Sequence, residues 1–288
     1  MAIRKNNNQI NNSEKDIQYY SKKFWKVFLY SMGGLALFFL FASWGLFGSM
    51  PSFEDLENPD SNLATEIISA DGVVIGKYFE KNRSQLKYSD LPKNLVQALV
   101  ATEDARFYEH SGIDGRGTMR AILSFGTSGG ASTLTQQLAK QLFHGEGSKF
   151  LPFRIIQKAK EWIIATKLER EYTKEEIIAM YFNTVDFTHN AVGIRSATKT
   201  YFKKEPKDLK LEEAAVIVGM LKNPSLYNPT RKSDAAIKRM KDRRNVVLGQ
   251  MVKNDKLDKA TKEKLAAEDI KINYSPESHK EGTATYFR

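Results

Sequence analysis

This chain of 288 residues contains no cysteine. Disulfides, thiolate metal sites and cysteine nucleophiles are thereby excluded. The absence suits a compartment in which stray thiols would oxidise, although it does not by itself fix the location. Histidine is scarce, and His110, His144 and His189 lack the spacing of metal ligands. The sequence shows no internal repeat, and no nucleic-acid-binding motif accompanies its excess of bases. Those bases, 44 Lys and Arg against 34 acids for a net charge of +10, are spread along the chain. They point to an anionic membrane surface or a diphosphate ligand as readily as to a generic solvated basic face, and not to nucleic acid. A hydrophobic content of 41% is enough for one substantial core with appendages.

Charge is missing altogether from Val27 to Met50. At about 1.5 Å per residue a helix of this length crosses a hydrocarbon core of about 30 Å, so the run predicts one transmembrane helix. Arg4, Lys5, Lys15, Lys22, Lys23 and Lys26 precede it against Glu14 and Asp16, whereas Pro51 to Asp71 carries acids and no Lys or Arg. The positive-inside rule then places residues 1–26 in the cytoplasm and the remainder outside, as a single-pass protein. A cleaved signal peptide is the alternative, but the run is longer than an h-region and lacks a clear small-x-small cleavage site.

Residues 51–90 read as a linker followed by a hairpin, because Ala64 to Tyr88 alternates apolar and polar residues around Asp71-Gly72. From Leu91 the period becomes helical. Pro92 opens a helix, Thr133 with Gln136 and Thr173 with Glu176 are capping-box pairs, and the run Leu211 to Lys222 stops before Pro224. The glycines of Gly115 to Gly130 suggest a mobile segment flanking a cleft. Residues 91–254 are therefore expected to form a mainly α domain with a small β-hairpin element. Residues 255–288 turn into a charged linker that looks cut off.

Leu95, Leu99 and Glu103 fall at i, i+4 and i+8, with Val96 and Val100 flanking the stripe, so Glu103 stands at the end of an apolar helix face. A carboxylate there is partly desolvated, a setting suited to proton transfer. The plainer reading is a helix-terminal glutamate paired with a base such as Arg106. Farther on, Gly129-Gly130-Ala131 leads into Ser132-Thr133, a helix start whose exposed amides and dipole favour an anion. Lys140 lies two turns along, near the face of Thr133, Gln136 and Gln137; a capped surface helix is the alternative.

Residues 102–114, Thr-Glu-Asp-Ala-Arg-Phe-Tyr-Glu-His-Ser-Gly-Ile-Asp, and residues 132–140, Ser-Thr-Leu-Thr-Gln-Gln-Leu-Ala-Lys, resemble the first two signature motifs of the peptidoglycan glycosyltransferases of family 51. Gln157-Lys158-Ala159-Lys160-Glu161, followed by Ala165 and Leu168-Glu169, resembles the third, with Gln157 in place of the usual arginine. Ile177 to Asn183 resembles the next, although Val185 to Asn190 departs from the Tyr-Phe-Gly-x-Gly that follows it in the family. Ala214 to Pro229 resembles the last, and the likeness spans about Leu91 to Met251. It implies a lysozyme-like glycosyltransferase domain. Glu103 and Glu161 would be its catalytic carboxylates, and Asp104, Ser132, Thr133, Gln136, Gln137, Lys140, Arg154 and Lys158 would contact substrate. Lys158 and Glu161 at i, i+3 fit a surface ion pair equally well. Ser196-Ala197-Thr198-Lys199 has the form of a penicillin-reactive Ser-x-x-Lys, but no Ser-Asp-Asn or Lys-Thr-Gly follows it.

The resemblance implies polymerisation of lipid II into β-1,4 glycan strands with inversion and release of undecaprenyl diphosphate. No cofactor is required, and Glu161 orients the diphosphate either directly or through a divalent cation, Mg2+ or Mn2+. Expected partners are lipid II, the growing glycan strand, membrane lipid and other cell wall synthesis proteins, at the bacterial cytoplasmic membrane. A continuation into a transpeptidase domain would make this the N-terminal part of a bifunctional class A penicillin-binding protein; a monofunctional enzyme is the alternative. A lysozyme-like lytic enzyme and a non-catalytic scaffold of wall synthesis are the rivals. The first would have no use for a basic diphosphate site, and the second none for Glu103 and Lys140.

Overall fold

In a computed structural model of the chain, residues 2–46, 65–68, 74–78, 86–124, 130–143 and 150–276 are described. They are mainly helical. Helix α1 runs Ala2–Ser43, and its stretch Asp16–Ser43 is long and apolar enough to cross a membrane. The charge-free run reaches Met50, but the helix closes sooner. Leu46 donates its N–H to Phe41 O at 3.1 Å and Gly45 to Ala42 O at 3.2 Å, the paired bonds that satisfy the last carbonyls of a helix once the chain turns left-handed. The apolar helix therefore lies nearer the N-terminus than residues 27–50. Strands β1 (Thr65–Ile68) and β2 (Val74–Tyr78) pair antiparallel with Thr65 opposite Tyr78. The alternation from Ala64 to Tyr88 extends beyond them, and the Asp71-Gly72 turn and residues 79–85 lie outside the described residues.

Contacts divide the chain into two compact units, residues 1–50 with 149–160, and residues 51–148 with 161–288. The first combines α1 with the opening half of helix α5 (Leu151–Glu171), where Phe150, Leu151, Phe153 and Ile155 are exposed.

The second unit is built on α2 (Lys93–Glu103), α8 (Leu211–Met220) and α9 (Asp234–Lys253), each packed on the other two. Helix α8 is buried without a break from Ala214 to Met220, as expected of a helix that is apolar all round. The stripe on α2 buries Leu95 and Leu99 completely, each contributing about 2 kcal/mol of apolar transfer. Beside this core, α4 (Leu134–Phe143) packs on α6 (Lys174–Thr184). Asn183 of α6 reaches back to Leu86, accepting its N–H at 3.0 Å and donating to its carbonyl at 2.9 Å. Helix α7 (Ile194–Phe202) precedes α8, and α10 (Lys259–Ala267) closes the unit. Buried Arg244 donates from α9 to Ala266 O and Glu268 O at the end of α10.

Two expectations change. Gly115–Leu123 is a helix, α3, rather than a mobile glycine segment. Asp114 supplies the reason: its carboxylate accepts the Gly117 N–H at 3.0 Å and satisfies an amide that has no partner within the helix. The rest of the glycine run, residues 125–129, lies outside the described residues. At the start of α4 only half of the Thr133 and Gln136 exchange forms. Thr133 Oγ1 accepts the Gln136 N–H at 3.2 Å, while the Gln136 side chain turns to Gly112 O. The exchange at Thr173 and Glu176 forms in both directions.

Candidate active site

Glu103 is the last residue of α2, and its side chain is 18% exposed. Three elements converge on it. From α4, Gln137 Nε2 donates to one carboxylate oxygen at 3.3 Å. From α9, Arg243 Nη2 faces the other at 3.5 Å. From α6, the Tyr181 hydroxyl donates to Gln137 Oε1 at 3.0 Å, which turns the amide NH2 of Gln137 toward the carboxylate. Burial, with Glu103 adding to it, pushes the Tyr181 phenol well above its ordinary range, so it remains a neutral donor. Arg106, the partner that the sequence offered for Glu103, pairs instead with Asp114.

Asp104 follows Glu103 and turns the other way. Its carboxylate, 5% exposed, accepts the Leu134 N–H at 3.0 Å and lies 3.1 Å from His110 Nε2. One buried acid thus joins the end of α2, the first motif and the first turn of α4. Thr133 Oγ1 donates to Gly112 O at 2.7 Å, and Gln136 Nε2 donates to the same carbonyl at 3.1 Å. Gly112 can present that carbonyl because its φ is +84°, and a Cβ there would stand 2.8 Å from Ala165 O. The expectation of exposed amides at this helix start is corrected accordingly. The Leu134 and Gln136 amides are taken by Asp104 and Thr133, since a buried carboxylate requires donors and the positive end of a helix supplies them.

A pocket of about 100 Å³ opens beside Glu103, lined also by Arg106, Asp114, Arg120, Ser132 and Thr133. Burial works to raise the pKa of Asp114, but the Gly117 amide and the Arg106 guanidinium outweigh it and hold the group below the usual carboxylate range. Among the described residues no group of three or more His, Asp or Glu side chains could hold a metal ion.

The second unit therefore brings Glu103, Asp104, Ser132, Thr133, Gln136 and Gln137 together. Lys140 is exposed on α4, one turn beyond Gln136 and Gln137, and Glu161 is buried on α5. Arg154 and Lys158 belong to the first unit, the former exposed and the latter half-buried. Sequence reasoning missed Arg243, Tyr181 and Arg120, and it offered Arg106 only as a partner for Glu103. The only clue to Arg243 is its place next to Arg244 on a helix whose Met240, Val247 and Leu248 are buried, which puts a guanidinium beside an apolar stripe.

Residues 71–252 match a family model described as Transglycosylase. Penicillin-binding protein 1A of Vibrio cholerae is 37% identical over 229 residues, which are 78% of this chain and 27% of that protein. Penicillin-binding protein 1F of Bacillus subtilis is 39% identical over 211 residues, 72% of this chain and 28% of that protein. The chain thus spans about a quarter of the length of these relatives. Among solved structures, the crystal structure of penicillin-binding protein 1A from Haemophilus influenzae aligns with 73% of this chain and 21% of its own at 25% identity and a TM-score of 0.42.

Proposed function

Because this chain belongs to the transglycosylase family, we propose that it is a peptidoglycan glycosyltransferase that polymerises lipid II at a membrane surface. The observation that carries the reading is the Glu103 carboxylate, fixed at a pocket edge by Gln137 and Arg243. It acts as the general base. A Glu103 oxygen takes the proton from the 4-hydroxyl of the acceptor sugar as the hydroxyl oxygen attacks C1 of the donor. The bond from C1 to the diphosphate oxygen breaks, the leaving group keeps the electron pair, and the α linkage becomes β. A diphosphate leaves readily, so the site needs cations more than an acid. The family resemblance assigns Lys140, Lys158 and Arg154 to that charge, with Glu161 orienting groups around it. Glu161 would do so directly or through a divalent cation, Mg2+ or Mn2+, at the diphosphate.

A lytic enzyme would need a group that protonates the sugar leaving oxygen and would have no use for a basic diphosphate site. The helix Asp16–Ser43 would hold the site at the lipid-linked substrate, with the N-terminus in the cytoplasm and the second unit outside. The growing strand, membrane lipid and other wall-synthesis proteins are the partners of this reading.

Glu103→Gln tests it. The change is nearly isosteric and keeps a hydrogen-bond acceptor, so folding and lipid II binding should persist while chain formation falls by roughly 10²- to 10⁴-fold. Labelled lipid II reports polymerisation, finished peptidoglycan reports cleavage, and a thermal melt checks folding. A well-folded Glu103→Gln protein that still polymerises would overturn the assignment, and cleavage of finished peptidoglycan by the parent would favour a lytic enzyme.

A further inference from the structure

We infer that Arg243 is a positioning residue for Glu103, and that Gly219 exists in α8 to admit it; the inference rests on Glu103 being the base. Glu103 stands at a helix terminus, where no following turn restrains its side chain, yet a base must meet the acceptor hydroxyl in one geometry. Gln137 alone is a neutral contact at 3.3 Å. Arg243 adds a charge at 3.5 Å on the other carboxylate oxygen, and its own conformation is held at two further points. Arg243 Nε donates to Gly219 O at 3.2 Å, and the guanidinium lies 5.9 Å from the Tyr227 ring centroid.

The Gly219 carbonyl is suited to this bond. It belongs to the last turn of α8, where carbonyls lack partners within the helix and the dipole favours a cation. A Cβ at residue 219 would stand 3.3 Å from Arg243 Cγ and 3.1 Å from Met240 Cε, so the arginine stem runs through the space that a side chain would fill. Alanine would favour the helix, yet it would displace the arginine. The chain of restraint thus runs from a glycine on α8, through an arginine on α9, to a carboxylate on α2.

The experiment uses the full chain in liposomes with labelled lipid II, comparing Arg243→Met, Arg243→Lys, Gly219→Ala and Glu103→Gln, each with a thermal melt. Arg243→Met should lower kcat about 10- to 100-fold with KM within about two-fold, because the carboxylate is misplaced and binding is spared. Arg243→Lys should recover part of the loss, and Gly219→Ala should lower kcat about three- to ten-fold without a lower Tm. Should Arg243→Met fail to fold, the lysine and Gly219 variants carry the test. Parental kcat in Arg243→Met, or in both Arg243→Lys and Gly219→Ala when the methionine variant is unfolded, overturns the inference. So does a raised KM at unchanged kcat. A polymerising Glu103→Gln protein would instead remove the reading beneath it, so the two failures are told apart.

Discussion

Glu103 and Asp104 are adjacent acids with opposite surroundings, and the backbone explains why. Asp104 leaves the helix with φ −155° and ψ 76°, so the two side chains diverge, one toward the pocket and one into the protein. The apolar stripe ending at Glu103 was legible from residues spaced by four. The inward turn of Asp104 was not, because it depends on an amide thirty residues away at the start of α4. Arg106 illustrates the same limit: Glu103 and Asp114 both lie within reach along the sequence, and the start of α3 selects Asp114. That pair makes a prediction. The folded pKa of Asp114 is lowered, so its contribution is present above the unfolded carboxylate value of about 3.9 and is lost as pH falls through the folded value. Asp114→Asn should cost about 1 kcal/mol at pH 7, and thermal melts from pH 7 to about pH 3 should show the gap from the parent closing. A gap that stays constant would mean that the charge contributes nothing.

Among elements, the helices with strong local signals formed where the period and caps placed them, as at Pro92 and at the Thr173 and Glu176 exchange. Helix α3 escaped notice because its capping acid sits just ahead of two exposed-looking glycines, and composition alone favoured a mobile segment. The segment from Val185 to Asn190, which departs from the family pattern, proves to be a tight loop. Thr188, His189 and Asn190 take φ of 66°, 53° and 61° without a glycine, a cost of about 1 kcal/mol or more for each. The loop is held by Tyr201 donating to Phe187 O at 2.6 Å and by the Thr188 N–H donating to Asp186 at 2.8 Å. Asp186 is a local partner, but Tyr201 comes from α7, so no local pattern alone announces the loop. Gly112 is the more consequential backbone position, because its carbonyl carries both Thr133 and Gln136. Gly112→Ala meets left-handed strain and the Ala165 carbonyl together, and should cost about 2 kcal/mol or more. A melt should show the loss, and lipid II turnover should fall with it as the start of α4 shifts. A variant with parental stability would show that the backbone there relaxes freely.

At the scale of the whole molecule, the charge of +10 and the apolar helix Asp16–Ser43 belong together on the proposed reading, in which a lipid-linked anionic substrate lies in the membrane plane and not in bulk water. As an anchor, that helix would act through effective concentration: a site tethered to the bilayer meets its substrate in two dimensions, while a soluble one must find the surface first. Deleting Met1 to Met50 should leave the second unit folded, because α2, α8 and α9 form its core without help from α1. The deletion does leave residues 149–160 without the segment they group with, and there Phe150, Leu151, Phe153 and Ile155 are exposed. An apolar surface of that kind favours detergent or lipid, so the truncated protein should need detergent to stay monodisperse and should retain weak binding to vesicles. Turnover of lipid II in liposomes should drop about ten-fold or more, while turnover in detergent, where tethering confers no advantage, should stay near the parental rate. Equal activity of the truncated and full chains in liposomes would show that the anchor does not deliver the site to its substrate. A matching loss in detergent would instead show that α1 supports the fold of the second unit.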